Sequence, residues 1–187
     1  MGVKNTRYLI SPTRFGEFGI VWYMENDQPR ILQVTLPGKQ PQLPARLHRD
    51  YPGLQAGSQL DMVGLAGNIR RYLNGEDLQL ELRWLAWEVC TAFQARVLRA
   101  EYDIPRGWVS TYGRIARELG LPGGGRAVGN ALDANPFPIL IPCHRAVRST
   151  GELGGYQGGL KMKKALLEME GVTFCSATKV SLGKVFY

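Results

Sequence analysis

This chain of 187 residues is short of the residues that build metal centres and disulfide frameworks. It has two histidines, His48 and His144, and three cysteines, Cys90, Cys143 and Cys175. The cysteines are odd in number and widely spaced, which argues against a disulfide scaffold and against a Cys-x-x-Cys metal site. An ordinary Cys/His zinc site would consume nearly all five residues together, so no metal is expected. No uninterrupted apolar run approaches the ~18 residues of a membrane-spanning helix, and the first residues lack the apolar core of a secretion signal. The expectations are no membrane association and a cytoplasmic location, or a nuclear one in a eukaryote.

The length suits one domain or two small ones. The formal charge is +7 and the sequence pI about 9.5. That balance fits a polyanionic partner, and equally fits simple solubility.

The first 45 or so residues read as extended structure. Phe18–Tyr23 and Ile31–Leu36 are β-rich runs joined by the polar stretch Glu25–Pro29, which predicts a hairpin. Pro37 to Pro44 reads as a loop. A helix is predicted from about Ser58 to Leu73, stopping at Asn74-Gly75. His48, among Arg46, Arg49 and Asp50, reads as a surface residue.

From Leu85 the pattern becomes helical. Ala86, Val89, Cys90, Phe93, Val97 and Ala100 keep the three-to-four spacing of one helix face to Ala100, which makes Cys90 structural. Further helices are predicted over Thr111–Leu119 and Arg126–Ala134, separated by the turn Gly120–Gly125. Helix, glycine turn and helix suggest a helix-turn-helix. The second of these helices is rich in small residues (Ala127, Gly129, Ala131, Ala134), so its backbone can approach either a core neighbour or a DNA groove closely. A last helix is predicted over Lys161–Glu170, with Met162, Leu166 and Met169 inward, Lys161, Lys163 and Lys164 exposed, and Gly171 at the C-cap. The glycine-rich stretch Gly154–Gly159 is a tight or mobile loop. It lacks the GxxxxGKS/T pattern of a phosphate cradle.

The densest chemistry lies in Pro142-Cys143-His144-Arg145 behind Asn135–Ile141. Prolines flank Ile139–Ile141 and restrict the backbone on both sides, which holds the sulfur in place. A Cys-His pair taken alone more often marks a buried cysteine acting as a small hydrophobe. Glu170 stands in the last turn of a helix, where the dipole disfavours a negative charge. A nearby histidine would offset that cost.

From Phe93 to Gly171 the chain resembles the O6-alkylguanine-DNA alkyltransferases, or methylated-DNA–protein-cysteine methyltransferases. The matching segments are Phe93-Gln94, Val97-Leu98, Val109–Gly113, Arg126–Gly129, Asn135-Pro136, Pro138–Arg145, Gly155-Tyr156, Gly158-Gly159, Leu166-Leu167 and Glu170-Gly171. The resemblance implies an α/β architecture, with a ribonuclease-H-like domain over 1–82 and a mostly helical, winged-helix-like DNA-binding domain over 83–187. It implies a monomer that binds double-stranded DNA containing O6-alkylguanine, needs no cofactor, and moves the alkyl group to its own cysteine once, after flipping the base from the duplex. By the same resemblance Cys143 is the acceptor, His144 its base through a bridging water, Glu170 the orienting carboxylate, Tyr112 the donor to the departing guanine, and Asn135 the brace of the turn. Arg126, Ala127, Ala131, Thr111 and Gly129 would contact DNA, with Arg126 filling the vacated stack. Tyr156, Pro138, Val147 and Gln157 would line the base pocket. Ala146 departs from the family's usual valine, and the tail 172–187, with Cys175, has no assigned role.

Three rivals remain open in the residues. An alkyltransferase-like protein binds O6-alkylguanine DNA without removing the group, but it carries another residue, commonly tryptophan, at the thiol position. A helix-turn-helix regulator sensing through Cys143 would need polar base readers, and Val128, Ala131 and Leu132 are poor ones. A cysteine hydrolase would need an oxyanion hole, which no segment suggests.

Overall fold

A computed structural model describes residues 5–37 and 43–187. The architecture is mixed α/β, and the chain divides after Val89 into two compact units.

In the first unit, strands β1 (Arg7–Thr13), β2 (Gly16–Glu25) and β3 (Gln28–Thr35) form an antiparallel meander. The short β4 (Gln55–Ala56) adds parallel to β1, giving the order β3-β2-β1-β4. Asn26 and Asp27 both take positive φ (50° and 59°). A two-residue hairpin turn demands that conformation, and Asn and Asp tolerate it best after glycine. Phe18–Tyr23 is buried without alternation, the signature of a strand covered on both faces. Helix α1 (Leu43–Asp50) packs on β2 through Leu47, in a cluster with Val21 and Leu54. Helix α2 (Leu60–Leu73) buries Met62, Leu65, Ile69 and Leu73 and packs on β1. The predicted hairpin and the Ser58–Leu73 helix correspond to these elements. The predicted Pro37–Pro44 loop falls partly on 38–42, outside the described residues, and its last two residues open α1. That helix buries only Leu47, so it leaves no periodic trace in the sequence. His48 is exposed, its ring edge-on to Tyr8.

The helix expected over Leu85–Ala100 is corrected. Leu85 and Ala86 belong to the first unit, where the amide of Ile31 donates to Trp84 O (2.7 Å) and that of Ala86 to Ile31 O (2.9 Å). A 3-10 turn follows at Trp87–Val89, and helix α3 runs only over Ala92–Tyr102. Thr91 is its N-cap, Oγ1 accepting from the Gln94 amide at 3.1 Å. Backbone pairing with Ile31 outweighs the helical spacing of the side chains, so the unit boundary lies at 89/90, compared with the expected 82/83. Cys90 therefore lies outside the helix and is only half-buried.

The second unit continues with β5 (Ser110–Thr111), α4 (Tyr112–Glu118), α5 (Gly125–Asp133), a 3-10 turn at Cys143–Arg145, β6 (Ala146–Val147) and α6 (Gly159–Met169). Strands β5 and β6 pair in parallel, Ser110 with Ala146 and Thr111 with Val147. That pairing sets the start of α4 beside the Cys143 turn. Helix α5 packs on α3 and α4 through Val128, Ala131 and Leu132. The tail, unassigned from sequence, closes the unit. Strands β7 (Phe174–Ser176) and β8 (Lys179–Val180) pair antiparallel. Val180 joins an apolar cluster with Val109, Val147, Leu153, Leu167 and Val172, and Phe186 N donates to Val109 O at 2.8 Å.

Candidate active site

The segment from Asn135 to Arg145 folds back on itself before it reaches the thiol. The amide of Ile141 donates to Phe137 O, that of Cys143 to Ile141 O, and that of Arg145 to Pro142 O, each at 2.8 Å. Asn135 braces the turn from inside: its Oδ1 accepts from the Phe137 amide (2.9 Å) and its Nδ2 donates to Ile141 O (3.3 Å). Ile139, 2% exposed, is held at φ 73°. For a β-branched residue that backbone costs about 1–3 kcal/mol, and the surrounding turn and flanking prolines impose it.

Cys143 is buried, and burial pushes its thiol up to about 12. A hydrogen bond from Asn135 and the charge of Lys163 oppose that rise, and Glu101 adds to it. The neighbouring His144 is fully buried, with Nε2 2.9 Å from Glu170 Oε1. Arg145 grips the same carboxylate, Nε to Oε2 and Nη2 to Oε1, both at 2.9 Å, and sends Nη1 to Ile104 O at 2.6 Å. Burial alone would raise the Glu170 carboxyl, but His144 and Arg145 outweigh it and hold the group well below the carboxylate range. Glu170 is therefore ionised and can only accept. It follows that His144 Nε2 carries the hydrogen, leaving Nδ1 as the basic nitrogen. Burial keeps the ring neutral by lowering its pKa. The charge of Glu170 at a helix end is thus offset by His144 and by Arg145, which donates two hydrogen bonds to the same carboxylate.

An open cleft of about 1160 Å³ leads to the sulfur. Tyr112, Arg126, Gly129, Asn135, Pro138, Cys143, Tyr156 and Gln157 line it together, with Asp133 and Arg148, which the sequence reading passed over. Arg126 is exposed in the first turn of α5. Tyr156 sits edge-on to the His144 ring, 6.2 Å between centroids. Gly154, at φ 68°, passes so close to Tyr112 that a β-carbon there would lie 2.6 Å from the phenol oxygen. Burial raises the Tyr112 phenol to about 12.

Other expected site residues lie elsewhere. Val147 is fully buried in the apolar cluster behind β6 and is not part of the cleft lining. Thr111 is the N-cap of α4, its Oγ1 accepting from the Arg114 amide. Ala131 is 8% exposed on the inner face of α5, and its carbonyl accepts from Gln94 Nε2. Ala127 is exposed one residue after Arg126. Lys163, expected on the surface, is fully buried and donates to Ala146 O (2.7 Å) and Gly155 O (3.3 Å). Glu101 is also fully buried. Neither had a signal in the sequence, because helical spacing cannot separate a buried charged side chain from a solvated one.

Residues 92–172 match the family described as 6-O-methylguanine DNA methyltransferase, DNA binding domain. A methylated-DNA–protein-cysteine methyltransferase of Methanothermobacter thermautotrophicus is 49% identical over 109 residues, covering 58% of this chain and 61% of that protein. One from Mycolicibacterium paratuberculosis is 37% identical over 160 residues, covering 81% of this chain and 93% of that one. This chain belongs to the methylated-DNA–protein-cysteine methyltransferase family. Its fold agrees with solved members. The structure described as Mycobacterium tuberculosis OGT in complex with DNA has a TM-score of 0.69 at 30% identity, over 88% of this chain and 93% of that one. The O6-methylguanine-DNA methyltransferase of Pyrococcus kodakaraensis has a TM-score of 0.67 at 27% identity, over 89% and 99%. The chain spans about three fifths of the length of the first curated family members it matches. Among the described residues no group of three or more His, Cys, Asp or Glu is placed to hold a metal, and no helix is long and apolar enough to cross a membrane.

Proposed function

We propose that this protein repairs O6-alkylguanine in double-stranded DNA by taking the alkyl group onto Cys143 in a single irreversible turnover. The observation that carries the reading is a buried thiol at an open cleft, backed by a histidine whose tautomer is set by an ionised carboxylate. With a thiol this weakly acidic, almost no thiolate stands ready at neutral pH. A base must remove its proton as the reaction proceeds. His144 Nδ1 takes that proton through a bridging water. The sulfur attacks the alkyl carbon, the S–C bond forms, and the C–O6 bond breaks with its electron pair leaving on guanine. Tyr112 protonates the departing base, and the His144 proton restores the phenol. The balance is thiol plus O6-alkylguanine to thioether plus guanine. No step regenerates the thiol, so each molecule acts once.

The alkyl group of a stacked guanine cannot reach a sulfur inside the cleft, so the base must leave the duplex. Arg126, exposed beside the cleft on a helix of small residues, fills the gap it leaves. The net positive charge supplies sequence-independent affinity for phosphates. The protein acts as a monomer in the compartment that holds the DNA.

The test is incubation with a duplex carrying one O6-methylguanine, followed by peptide mass spectrometry. One methyl on the Cys143 peptide, at no more than one equivalent per protein, is the expected result. Binding without any mass gain would instead indicate an alkyltransferase-like protein, and a label on Cys90 or Cys175 would refute the assignment.

A further inference from the structure

None of the described residues of the tail 172–187 lines the cleft, yet the tail bonds to the segments that carry two of its walls. On one side the β7–β8 hairpin backs the loop that follows β6. Val180 N donates to Gly151 O (2.9 Å) and Leu153 N to Thr178 O (3.3 Å), and Lys179 bridges to Glu152. Gly151, at φ 86°, passes so close that a β-carbon there would stand 2.6 Å from Val180 O. This loop runs directly into Gly154, Gly155, Tyr156 and Gln157 of the cleft lining. On the other side the tail adds a strand to β5. Val109 N donates to Lys184 O (3.3 Å), Phe186 N donates to Val109 O (2.8 Å), and the fully buried Ser110 sends Oγ to Phe186 O (2.8 Å). Tyr187 is held in turn: its hydroxyl donates to Ala100 O of α3 (3.0 Å), and Arg114 Nη1 of α4 donates to Tyr187 O. The segment Val109–Thr111 is thus paired on both edges, with β6 after the thiol turn and with the tail. Tyr112 follows it directly as the first residue of α4.

We propose that residues 178–187 form a clasp that positions Tyr112 for the alkyl transfer: by bonding both the Gly151–Leu153 loop and the Val109–Ser110 strand, they fix the phenol against Gly154 in the cleft. This inference rests on the proposed role of Tyr112 as donor to the departing guanine. A pair of two-residue strands such as β5 and β6 is marginal by itself. The tail supplies the second edge and a partner for the buried Ser110 hydroxyl. The contact it holds is close, since a β-carbon on Gly154 would lie 2.6 Å from the phenol oxygen. A small movement of either wall therefore moves the phenol. A proton donor must stand within hydrogen-bond reach of the group it serves, and a misplacement of about 1 Å can cost about 100-fold in rate. Ser110 and Phe186 are positioning residues that act through Tyr112.

The test compares two reactions of the same sulfur in the wild type, Ser110→Ala and Phe186→Pro. Methyl transfer from free O6-methylguanine base needs a proton for the departing guanine. Iodoacetamide labelling of the Cys143 peptide releases iodide, which leaves without one. Ser110→Ala deletes the bond to Phe186 O, and Phe186→Pro deletes the amide that serves Val109 O. Each should slow methyl transfer about tenfold or more and change labelling by less than about twofold. In a Tyr112→Phe background neither should cause further loss, because the group they position is gone. A merely structural role would change both rates together, with labelling rising as the buried thiol opens to solvent. Parallel changes in the two rates, unchanged transfer in the folded variants, or losses that add to that of Tyr112→Phe overturn the proposal. Should either variant fail to fold, Tyr187→Phe, which deletes only the bond to Ala100 O, decides by the same split. A wild type that takes no methyl group refutes the repair reading and this inference with it. A wild type that transfers, with no split between the two rates in the variants, refutes the clasp alone.

Discussion

Glu170→Gln removes the charge that three buried donors share while keeping almost the same shape. In the native protein Arg145 makes two 2.9 Å bonds to this carboxylate and His144 a third. The carboxylate is fully buried and the Arg145 side chain 10% exposed. Glutamine retains one acceptor oxygen but turns an NH₂ toward the guanidinium. It leaves Arg145 charged and buried without a counter-ion. Removing one partner of a buried pair costs about 3–5 kcal/mol, and the retained acceptor places this change near the lower end, about 3 kcal/mol. A domain is stable by about 5–15 kcal/mol, so the variant should fold with a clearly lowered urea midpoint at pH 7. The pH dependence follows from the direction of the shift. Glu170 titrates lower in the folded protein than in the unfolded chain. Its contribution is complete above the unfolded value of about 4.3 and fades as pH falls toward the folded one. The gap between wild type and variant should therefore shrink below about pH 4. Urea unfolding at pH 7 and at pH 3.5 measures both. A loss under about 1 kcal/mol at neutral pH, or a gap that widens on acidification, would refute the network.

Arg126→Ala should slow repair of duplex DNA about tenfold or more and barely change transfer from the free base, because unstacking costs a few kcal/mol only when a base must be flipped. Equal losses in the two second-order rates would assign Arg126 to the fold. Gly154→Ala places a methyl 2.6 Å from the Tyr112 oxygen at φ 68°; it should displace the phenol, cost about 1 kcal/mol or more of stability and slow transfer. A crystal structure with Tyr112 unmoved would contradict this. Glu101→Leu should stabilise the fold increasingly between about pH 5 and pH 8. The raised carboxyl is harmless below its unfolded value and costs up to about 1.4 kcal/mol per pH unit above it. A melting-temperature difference independent of pH would show that the carboxyl is already ionised.

The helices Tyr112–Glu118, Gly125–Asp133 and Gly159–Met169, the hairpin of β2 and β3, and the Asn135–Arg145 segment were all legible in the amino-acid order. Their determinants are local: hydrophobic spacing, glycine and proline punctuation, and a motif whose residues act within one turn of each other. The start of α3 was misplaced because the pairing of Ala86 with Ile31 joins residues 55 positions apart, and no local signal competes with the helical spacing there. Helix α1 escaped because it buries a single leucine. Cys143 and His144 are neighbours in sequence, so their partnership needed no fold to suggest it. The Arg145 grip on Glu170, the burial of Lys163 and Glu101, and the inward turn of Val147 and Ala131 depend on which helix packs against which. The sequence determines the thiol, its base and the elements that carry them. Tertiary packing alone decides which charges are taken out of water beside that thiol, because desolvation and Coulomb energy depend on burial and distance in space, and spacing along the chain records neither.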